Sequence, residues 1–235
     1  MPTPTFPCIL AGVPLLIAEP LTSDAALRVV IWCHGFRADA LSHVAELERC
    51  AAAGFLAVGI DAAGHGARSD PGLSTRVAQS VDGALPVMLD LVEQTVAELQ
   101  SIVDALADAY PIDRSRVSLV GISMGAFLAY RAVVAGPTLR AVVALLGSPE
   151  WPGITSPHLS LRSFRRVSLL SITAEHDVSV PPAAAIRLHT ALGALALSSA
   201  QPHHHYSLRG AGHLTSAEEW ERAMRVTLGW LERMG

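Results

Sequence analysis

The stretch Val117-Ser-Leu-Val-Gly-Ile-Ser-Met-Gly-Ala-Phe-Leu128 decides how the rest of the sequence is interpreted. An apolar run enters a Gly-x-Ser-x-Gly pentapeptide and helix-forming residues follow it, which predicts a strand, a sharp turn and a helix. Gly121 and Gly125 have no Cβ atoms, so the strand and the helix can approach each other closely. The turn places the Ser123 hydroxyl beside the first turn of the helix, where free N–H groups favour a developing negative charge. Ser123 is therefore the candidate nucleophile.

Composition limits the kinds of protein that this chain can be. The sequence has 235 residues, 51% of them hydrophobic, and a mean hydropathy of +0.38, which favours a compact fold with a large core. A net charge of −4 with scattered basic residues argues against nucleic acid as a partner. No apolar run reaches ~18 residues, and the first residues are unlike a secretory signal, so no membrane segment is expected. Cys8, Cys33 and Cys50 have no metal-like spacing, which predicts reduced thiols in a cytoplasmic protein.

Strands and helices are predicted to alternate along the whole chain. A hairpin at 8–19, turning at Ala11-Gly12, and a polar loop through Asp24 precede strands at 28–33, 55–60, 116–122, 139–146, 167–173 and 203–208. Helices are expected at 42–53, 84–109, 124–135, from Pro181 to about Leu195, and after a capping box at Ser216. The pattern predicts an α/β fold, a doubly wound and mainly parallel sheet with helices on both faces, formed by residues 1–235 as one domain. The segment 147–166 is expected to be a short, irregular, cap-like excursion, too short for a lid domain.

The acidic partner of Ser123 can be predicted from chain order. Where Gly-x-Ser-x-Gly occupies a strand-to-helix turn, an acid and then a histidine follow the serine, on loops at the carboxyl ends of strands. Asp177 is the single aspartate after Ser123, and it comes just beyond the strand 167–173. Glu150, after the preceding strand, and Glu175, on the same loop, remain alternatives.

His213 is the candidate base because it lies between the last strand and the last helix, at the predicted carboxyl edge of the sheet. The glycines in Gly210-Ala-Gly-His213 let the backbone turn the imidazole towards the serine. A capping or surface role for His213 is the alternative. The other downstream histidines are adjacent to the acid, within a helix, or at the far edge of the sheet: His176, His189, His203, His204 and His205.

The triplet His203-His204-His205 could also suggest a metal site. Alternation along a strand puts only His203 and His205 on one face, and no acidic or cysteine partner is nearby in sequence. We therefore expect structural or surface histidines, with no metal and no cofactor.

Two backbone N–H groups are predicted to form an oxyanion hole. One belongs to Met124, the residue after the candidate nucleophile. The other belongs to Phe36, in the His34-Gly35-Phe36 loop after the strand 28–33.

Together these segments resemble the α/β-hydrolase superfamily, and within it the single-domain serine esterases similar to dienelactone hydrolases and prolyl oligopeptidases. The resemblance implies an acyl-enzyme mechanism in which Ser123 attacks, His213 transfers the proton and Asp177 orients the imidazole. In the similar families, the loop after the second parallel strand shapes the mouth of the site. The matching segments are His34-Gly35-Phe36, Asp61-Ala-Ala-Gly-His-Gly-Ala-Arg68, Gly121-Ile-Ser-Met-Gly125, Glu175-His-Asp177-Val-Ser-Val-Pro181 and Gly212-His213.

The chain departs from these relatives in ways that bear on its substrate. Its nucleophile is serine, whereas dienelactone hydrolases use cysteine, and the expected single domain leaves no β-propeller to filter peptides. We therefore expect a small carboxylesterase that binds a small-molecule ester. Trp151 and Ile154 are predicted to wall its pocket, with Phe36 opposite, in an open site that prefers short acyl chains. A thioesterase, an acyltransferase or a peptidase would use the same three residues, and a silent hydrolase fold that serves as a binding protein is a further alternative.

Overall fold

A computed structural model describes residues 4–21, 26–195 and 201–235. Strands and helices alternate through them, as the sequence predicts. The strands are β1 (Thr5–Leu10), β2 (Val13–Ala18), β3 (Leu27–Cys33), β4 (Phe55–Ile60), β5 (Ile112–Ile122), β6 (Ala141–Leu145), β7 (Ser168–Ala174) and β8 (His203–Leu208). The helices are α1 (Val44–Ala52), α2 (Leu73–Gln79), α3 (Ala84–Ala109), α4 (Met124–Ala135), α5 (Leu161–Phe164), α6 (Ala183–Ala194) and α7 (Ala217–Met234).

The strands form one eight-stranded sheet in the order β1-β2-β4-β3-β5-β6-β7-β8. The hairpin β1–β2 is antiparallel, and β2 is antiparallel to β4. All other neighbouring strands are parallel. The carboxyl ends of the parallel strands therefore meet at one edge, and Ser123, Asp177 and His213 follow three of them: β5, β7 and β8.

Helices cover both faces of the sheet and divide the core into two layers. The layer on one face contains the apolar stripes of α3, α4 and α6, with Leu99, Leu128 and Leu188 as central members. The layer on the other face contains α1 and α7, with Leu47 and Trp230. Burial on both faces explains why the central strands are almost continuously apolar. The predicted doubly wound α/β fold is confirmed.

The structure differs from the predicted elements in the region before α3, which was expected to be a polar loop. The short helix α2 lies there because Leu73 and Val77, one helical turn apart, pack against Leu91 in a small satellite cluster. The excursion 147–166 also contains regular structure, a 3₁₀ turn at Pro157–Ser160 and the single-turn helix α5. The predicted loop through Asp24 lies partly outside the described residues.

Helix α7 begins where the sequence predicts. Ser216 accepts a hydrogen bond from the Glu219 N–H, and the Glu219 carboxylate accepts one from the Ser216 N–H, which completes the capping box. Among the helices of the described residues, none is long and apolar enough to cross a membrane.

Candidate active site

Ser123 lies on the sharp turn between β5 and α4. Its backbone has φ 52° and ψ −114°, a left-handed conformation that residues with a side chain rarely adopt. The turn is fixed by its neighbours, because the Ser123 N–H donates to the Leu145 carbonyl on β6 at 2.8 Å. A Cβ on Gly121 would overlap the Gly125 carbonyl, and a Cβ on Gly125 would overlap the Cys33 carbonyl. The two glycines are therefore required by the close approach of strand and helix.

Three side chains that the sequence places far apart form one hydrogen-bonded row. Ser123 Oγ lies 3.0 Å from His213 Nε2, and His213 Nδ1 lies 2.7 Å from Asp177 Oδ2. His213 is held on the loop between β8 and α7, with its side chain 22% exposed, so its ring remains accessible to a substrate. The geometry is that of a nucleophile beside a base that a carboxylate orients.

The Asp177 carboxylate is fixed by its own loop. Its side chain is 1% exposed, and Oδ1 accepts the N–H groups of Ser179 at 2.9 Å and Val180 at 2.8 Å. Oδ2 is thereby left to accept from His213. With both oxygens engaged, the carboxylate can neither rotate freely nor reach solvent, which suits an orienting role.

The other candidate acids and bases have different partners. Glu150 pairs with Arg187, and Glu175 accepts the Gly210 N–H at 2.8 Å. His189 lies within α6, 2.8 Å from Ser171 Oγ. His176 is exposed.

The loop His34-Gly35-Phe36 passes directly beside Ser123, since a Cβ on Gly35 would lie 3.6 Å from the Cβ of Ser123. His34 holds this loop against the next one. Its Nε2 accepts the Ala62 N–H at 3.0 Å, and its Nδ1 lies 2.8 Å from the Gly35 carbonyl, so we assign the proton to Nδ1. Burial lowers the pKa of His34, which favours this neutral form.

Asp61 anchors the loop after β4. Its two carboxylate oxygens accept the N–H groups of Ala40 and Ala67, each at 2.8 Å, and so join two loops beside the site. Arg68 donates to the Asp61 carbonyl and forms a bidentate pair with Glu98 on α3, at 2.7 and 2.6 Å.

Of the two predicted oxyanion donors, Met124 is the first residue of α4. Its N–H is among the four at a helix start that have no intrahelical acceptor. Phe36 follows Gly35 on the adjacent loop, and its ring packs edge-on against His65, with 5.3 Å between ring centroids. Met124 is thus adjacent to Ser123 in sequence, and Phe36 follows the glycine that lies beside Ser123.

A cavity of about 480 Å³ opens beside Ser123. One wall comes from the first turns of α3, and the opposite wall comes from the segment between Asp177 and α6. Phe127, one turn after Ser123 on α4, contributes an aromatic face. The full lining is Ala84, Leu85, Met88, Ser123, Phe127, Ser148, Glu150, Ser179, Val180, Pro181, Ala183, Ala184 and Arg187.

The predicted pocket residues Phe36, Trp151 and Ile154 are not among the lining residues of this cavity. Trp151 is buried behind the wall, stacked on Phe127 with 5.8 Å between ring centroids, and its backbone N–H donates to Ser156. Ile154 is 94% exposed at the tip of its loop. Ser148 and Glu150, at the start of the excursion, line the cavity, whereas the following residues fold onto their own polar groups. Residues of α3 form the wall that we expected Trp151 and Ile154 to form.

The sequence offered a signal for some of the missed lining residues. Phe127 lies four residues after Ser123 on a predicted helix, and so on the same face of it. Val180 lies three residues after Asp177. Leu85 and Met88 gave no such signal, because their position depends on how far α3 extends over the edge of the sheet.

The histidine triplet on β8 lies away from this cavity, and its alternation is as predicted. His203 Nε2 lies 2.8 Å from the Phe164 carbonyl, and His205 Nε2 lies 2.9 Å from Thr173 Oγ1, whereas His204 stacks near Trp230 on the other face. Within the residues that the structure describes, no three His, Cys, Asp or Glu side chains are grouped to hold a metal ion.

Known proteins resemble this chain in sequence and in fold. Esterase YjfP of Escherichia coli (strain K12) is 29% identical over 140 residues, which cover 59% of this chain and 53% of that protein. The chain thus spans about half the length of the curated relatives that it matches.

Many solved structures share the fold, among them the following two. TT1662 from Thermus thermophilus superposes with a TM-score of 0.76 at 24% identity, covering 99% of both chains. The acylaminoacyl peptidase of Pyrococcus horikoshii superposes with a TM-score of 0.74 at 14% identity, covering 97% of this chain and 40% of that one.

A match to a family model shows the family to which the chain belongs. The model described as serine aminopeptidase, S33, matches residues 24–170, a range that includes Ser123 and ends before Asp177 and His213. The chain belongs to this serine aminopeptidase S33 family of hydrolases, within the α/β-hydrolase superfamily.

Proposed function

We propose that this protein is a serine esterase that cleaves small carboxylic esters through an acyl-enzyme intermediate. The observation that carries the proposal is the row of hydrogen bonds from Ser123 Oγ to His213 Nε2 at 3.0 Å and from His213 Nδ1 to Asp177 at 2.7 Å. The esterase name of a curated relative supports the choice of substrate class.

In the proposed first step, His213 Nε2 takes the proton of Ser123 while Oγ attacks the ester carbonyl carbon. The carbonyl oxygen becomes an oxyanion that accepts the N–H groups of Phe36 and Met124. The intermediate then collapses, the C–O bond to the alcohol breaks, and His213 donates its proton to the departing alkoxide. Asp177 stabilises the imidazolium in between and keeps the proton of the neutral ring on Nδ1.

In the proposed second step, water attacks the acyl-enzyme carbonyl and gives a proton to His213. The carboxylic acid leaves as Ser123 Oγ recovers that proton. Each N–H donor to the oxyanion is expected to contribute about 10²–10³ in turnover. Because both donors are backbone groups, replacement of the Phe36 side chain should change substrate fit more than oxyanion stabilisation.

Labelling by a fluorophosphonate probe tests the nucleophile. We expect the probe to label the wild type and not Ser123→Ala, because the probe reacts with an activated serine. Equal thermal unfolding of the two proteins is the necessary control. A wild type that the probe fails to label would contradict the proposal and favour the alternative of a catalytically silent binding protein.

A substrate panel then distinguishes the reactions that the same residues could perform. We expect 4-nitrophenyl esters to be cleaved faster than thioesters of the same acyl group or amino-acid 4-nitroanilides. A faster anilide reaction would favour an aminopeptidase, the activity for which the matching family is described. Among acetyl, butyryl and decanoyl esters, we expect the short chains to react fastest, since the excursion 147–166 is too short to form a lid over a long acyl chain.

A further inference from the structure

The residues that line the cavity beside Ser123 are mostly apolar or small, but two of them are charged. Glu150 and Arg187 are the two charged side chains among the described residues that line it. Glu150 belongs to the loop after β6, and Arg187 lies one turn inside α6. The pair therefore joins the loop after β6 to α6 at the wall of the cavity.

The contact between the two side chains is bidentate. Arg187 Nε donates to Glu150 Oε1 at 3.0 Å, and Arg187 Nη2 donates to Oε2 at 2.5 Å. The Glu150 side chain is 26% exposed and that of Arg187 is 61% exposed. The pairing with Arg187 lowers the pKa of Glu150, so both groups are charged at neutral pH.

The backbone of Glu150 is fixed independently of this pair. Its N–H donates to Ser148 Oγ at 3.0 Å, and Ser148 Oγ donates back to the Glu150 carbonyl at 2.8 Å. Loss of the Arg187 side chain would therefore leave the carboxylate at the cavity wall. Arg187 belongs to α6 and itself lines the cavity, so we expect its guanidinium to stay there when the Glu150 charge is lost.

We propose that Glu150 and Arg187 neutralise each other at the wall of the Ser123 cavity, so that the wall carries no unmatched charge and the cavity favours esters whose acyl group is uncharged. This inference rests on the proposed esterase function. Each charge satisfies the other, so a charged acyl group gains no partner at the wall and must lose its own hydration on entry. Removal of either partner creates an unmatched charge that attracts an acyl group of opposite sign.

Three 4-nitrophenyl esters of similar acyl length test the inference: the neutral hexanoate, the anionic adipate monoester and the cationic 5-(trimethylammonio)pentanoate. The quantity compared is kcat/KM for each charged ester divided by that for hexanoate, after subtraction of spontaneous hydrolysis. We expect the wild type to prefer hexanoate over both charged esters.

Each single substitution should raise a different one of these two ratios. Glu150→Gln should raise the adipate ratio about tenfold, because Arg187 becomes unmatched, and Arg187→Gln should raise the cationic ratio by a similar factor. The double variant, which has neither charge, should return both ratios to near their wild-type values. Thermal unfolding of each variant, compared with the wild type, checks that the fold is kept.

A matched control is available on a remote surface. Arg49 and Glu221 form another bidentate pair, both contacts at 2.8 Å, between α1 and α7. Glu221→Gln breaks an equivalent pair and should leave both ratios unchanged. If the ratios in Glu150→Gln and Arg187→Gln stay within twofold of the wild-type ratios, the inference about charge is wrong. The esterase proposal would not be affected by that result. A wild type that cleaves none of the three esters would overturn the esterase proposal and this inference with it.

Discussion

Among single residues, Asp177 can be changed chemically with little change in shape, by replacement with asparagine. Asparagine in its place can still accept the Ser179 and Val180 N–H groups through one oxygen. Its amide NH₂ would then face His213 Nδ1, which favours the tautomer with the proton on Nε2 and leaves that nitrogen unable to accept the proton of Ser123.

We therefore predict that Asp177→Asn lowers kcat for a 4-nitrophenyl ester by roughly 10³–10⁴. Steady-state kinetics would measure the loss, and circular dichroism would check the fold. Glu175→Gln, two residues away on the same loop, is the control and should change kcat by less than about threefold, since the Glu175 side chain accepts the Gly210 N–H and a glutamine oxygen can still accept it. Equal losses in the two variants would mean that the loop as a whole, and not the Asp177 charge, is what matters.

At the scale of elements, the turn between β5 and α4 requires glycine because a neighbouring backbone leaves no room for a Cβ atom. A Cβ at Gly125 would overlap the backbone carbonyl of Cys33 on β3, and the backbone there cannot yield as a flexible side chain could. We predict that Gly125→Ala lowers the free energy of unfolding by more than ~2 kcal/mol and abolishes ester cleavage.

A second glycine provides the comparison. Gly193 lies in α6, and a Cβ there would meet nothing within 4 Å beyond its own helix backbone, so Gly193→Ala should raise the free energy of unfolding by ~0.5–1 kcal/mol. Urea denaturation of both variants measures these opposite changes. If Gly125→Ala left the free energy of unfolding unchanged, α4 and β3 could move apart without an energetic cost, which would contradict the prediction.

Several features of the fold could be predicted from the sequence because they depend on neighbouring residues alone. The β5–α4 turn, the capping box at Ser216 and the bounds of α3 follow from local chemistry, and the structure has them where we expected. Which residues form the cavity walls does not follow from local chemistry. Leu85 and Met88 reach the cavity because α3 crosses the edge of the sheet, which tertiary packing decides, and the same packing turns the expected loop at Leu73–Gln79 into a helix.

For the molecule as a whole, a chain of polar side chains joins α4, β7 and α6 on one face of the sheet. Tyr130 on α4 donates to Ser171 Oγ on β7 at 2.7 Å, and Ser171 Oγ lies 2.8 Å from His189 Nε2 on α6. Burial, and secondarily the nearby His205, lower the pKa of His189 to about 3. The folded protein therefore holds this ring neutral down to pH values at which the unfolded chain would already be protonated.

The sign of the pH effect follows from that difference. Below the ordinary histidine pKa of about 6.5, the unfolded state binds a proton at this position and the folded state does not, so stability falls as the pH drops from about 6.5 towards 3. At pH 5 the loss attributable to His189 is ~1–2 kcal/mol.

We predict that His189→Gln, which cannot be protonated, reduces by that amount the loss of stability between pH 7 and pH 5, as measured by urea denaturation at both pH values. His176→Gln, at an exposed position, is the control and should leave the loss unchanged. A pH dependence that is equal in wild type and His189→Gln would contradict the prediction.

The origin of the cavity walls has a consequence for how this protein could be redesigned. Leu85, Met88 and Arg187 lie on α3 and α6, whereas Ser123, Asp177 and His213 are held by the turn and loops after β5, β7 and β8. Libraries confined to the wall positions would therefore alter the volume and charge of the cavity without touching a group that transfers a proton. We therefore expect that the substrate range can be changed independently of the chemistry proposed for Ser123, Asp177 and His213.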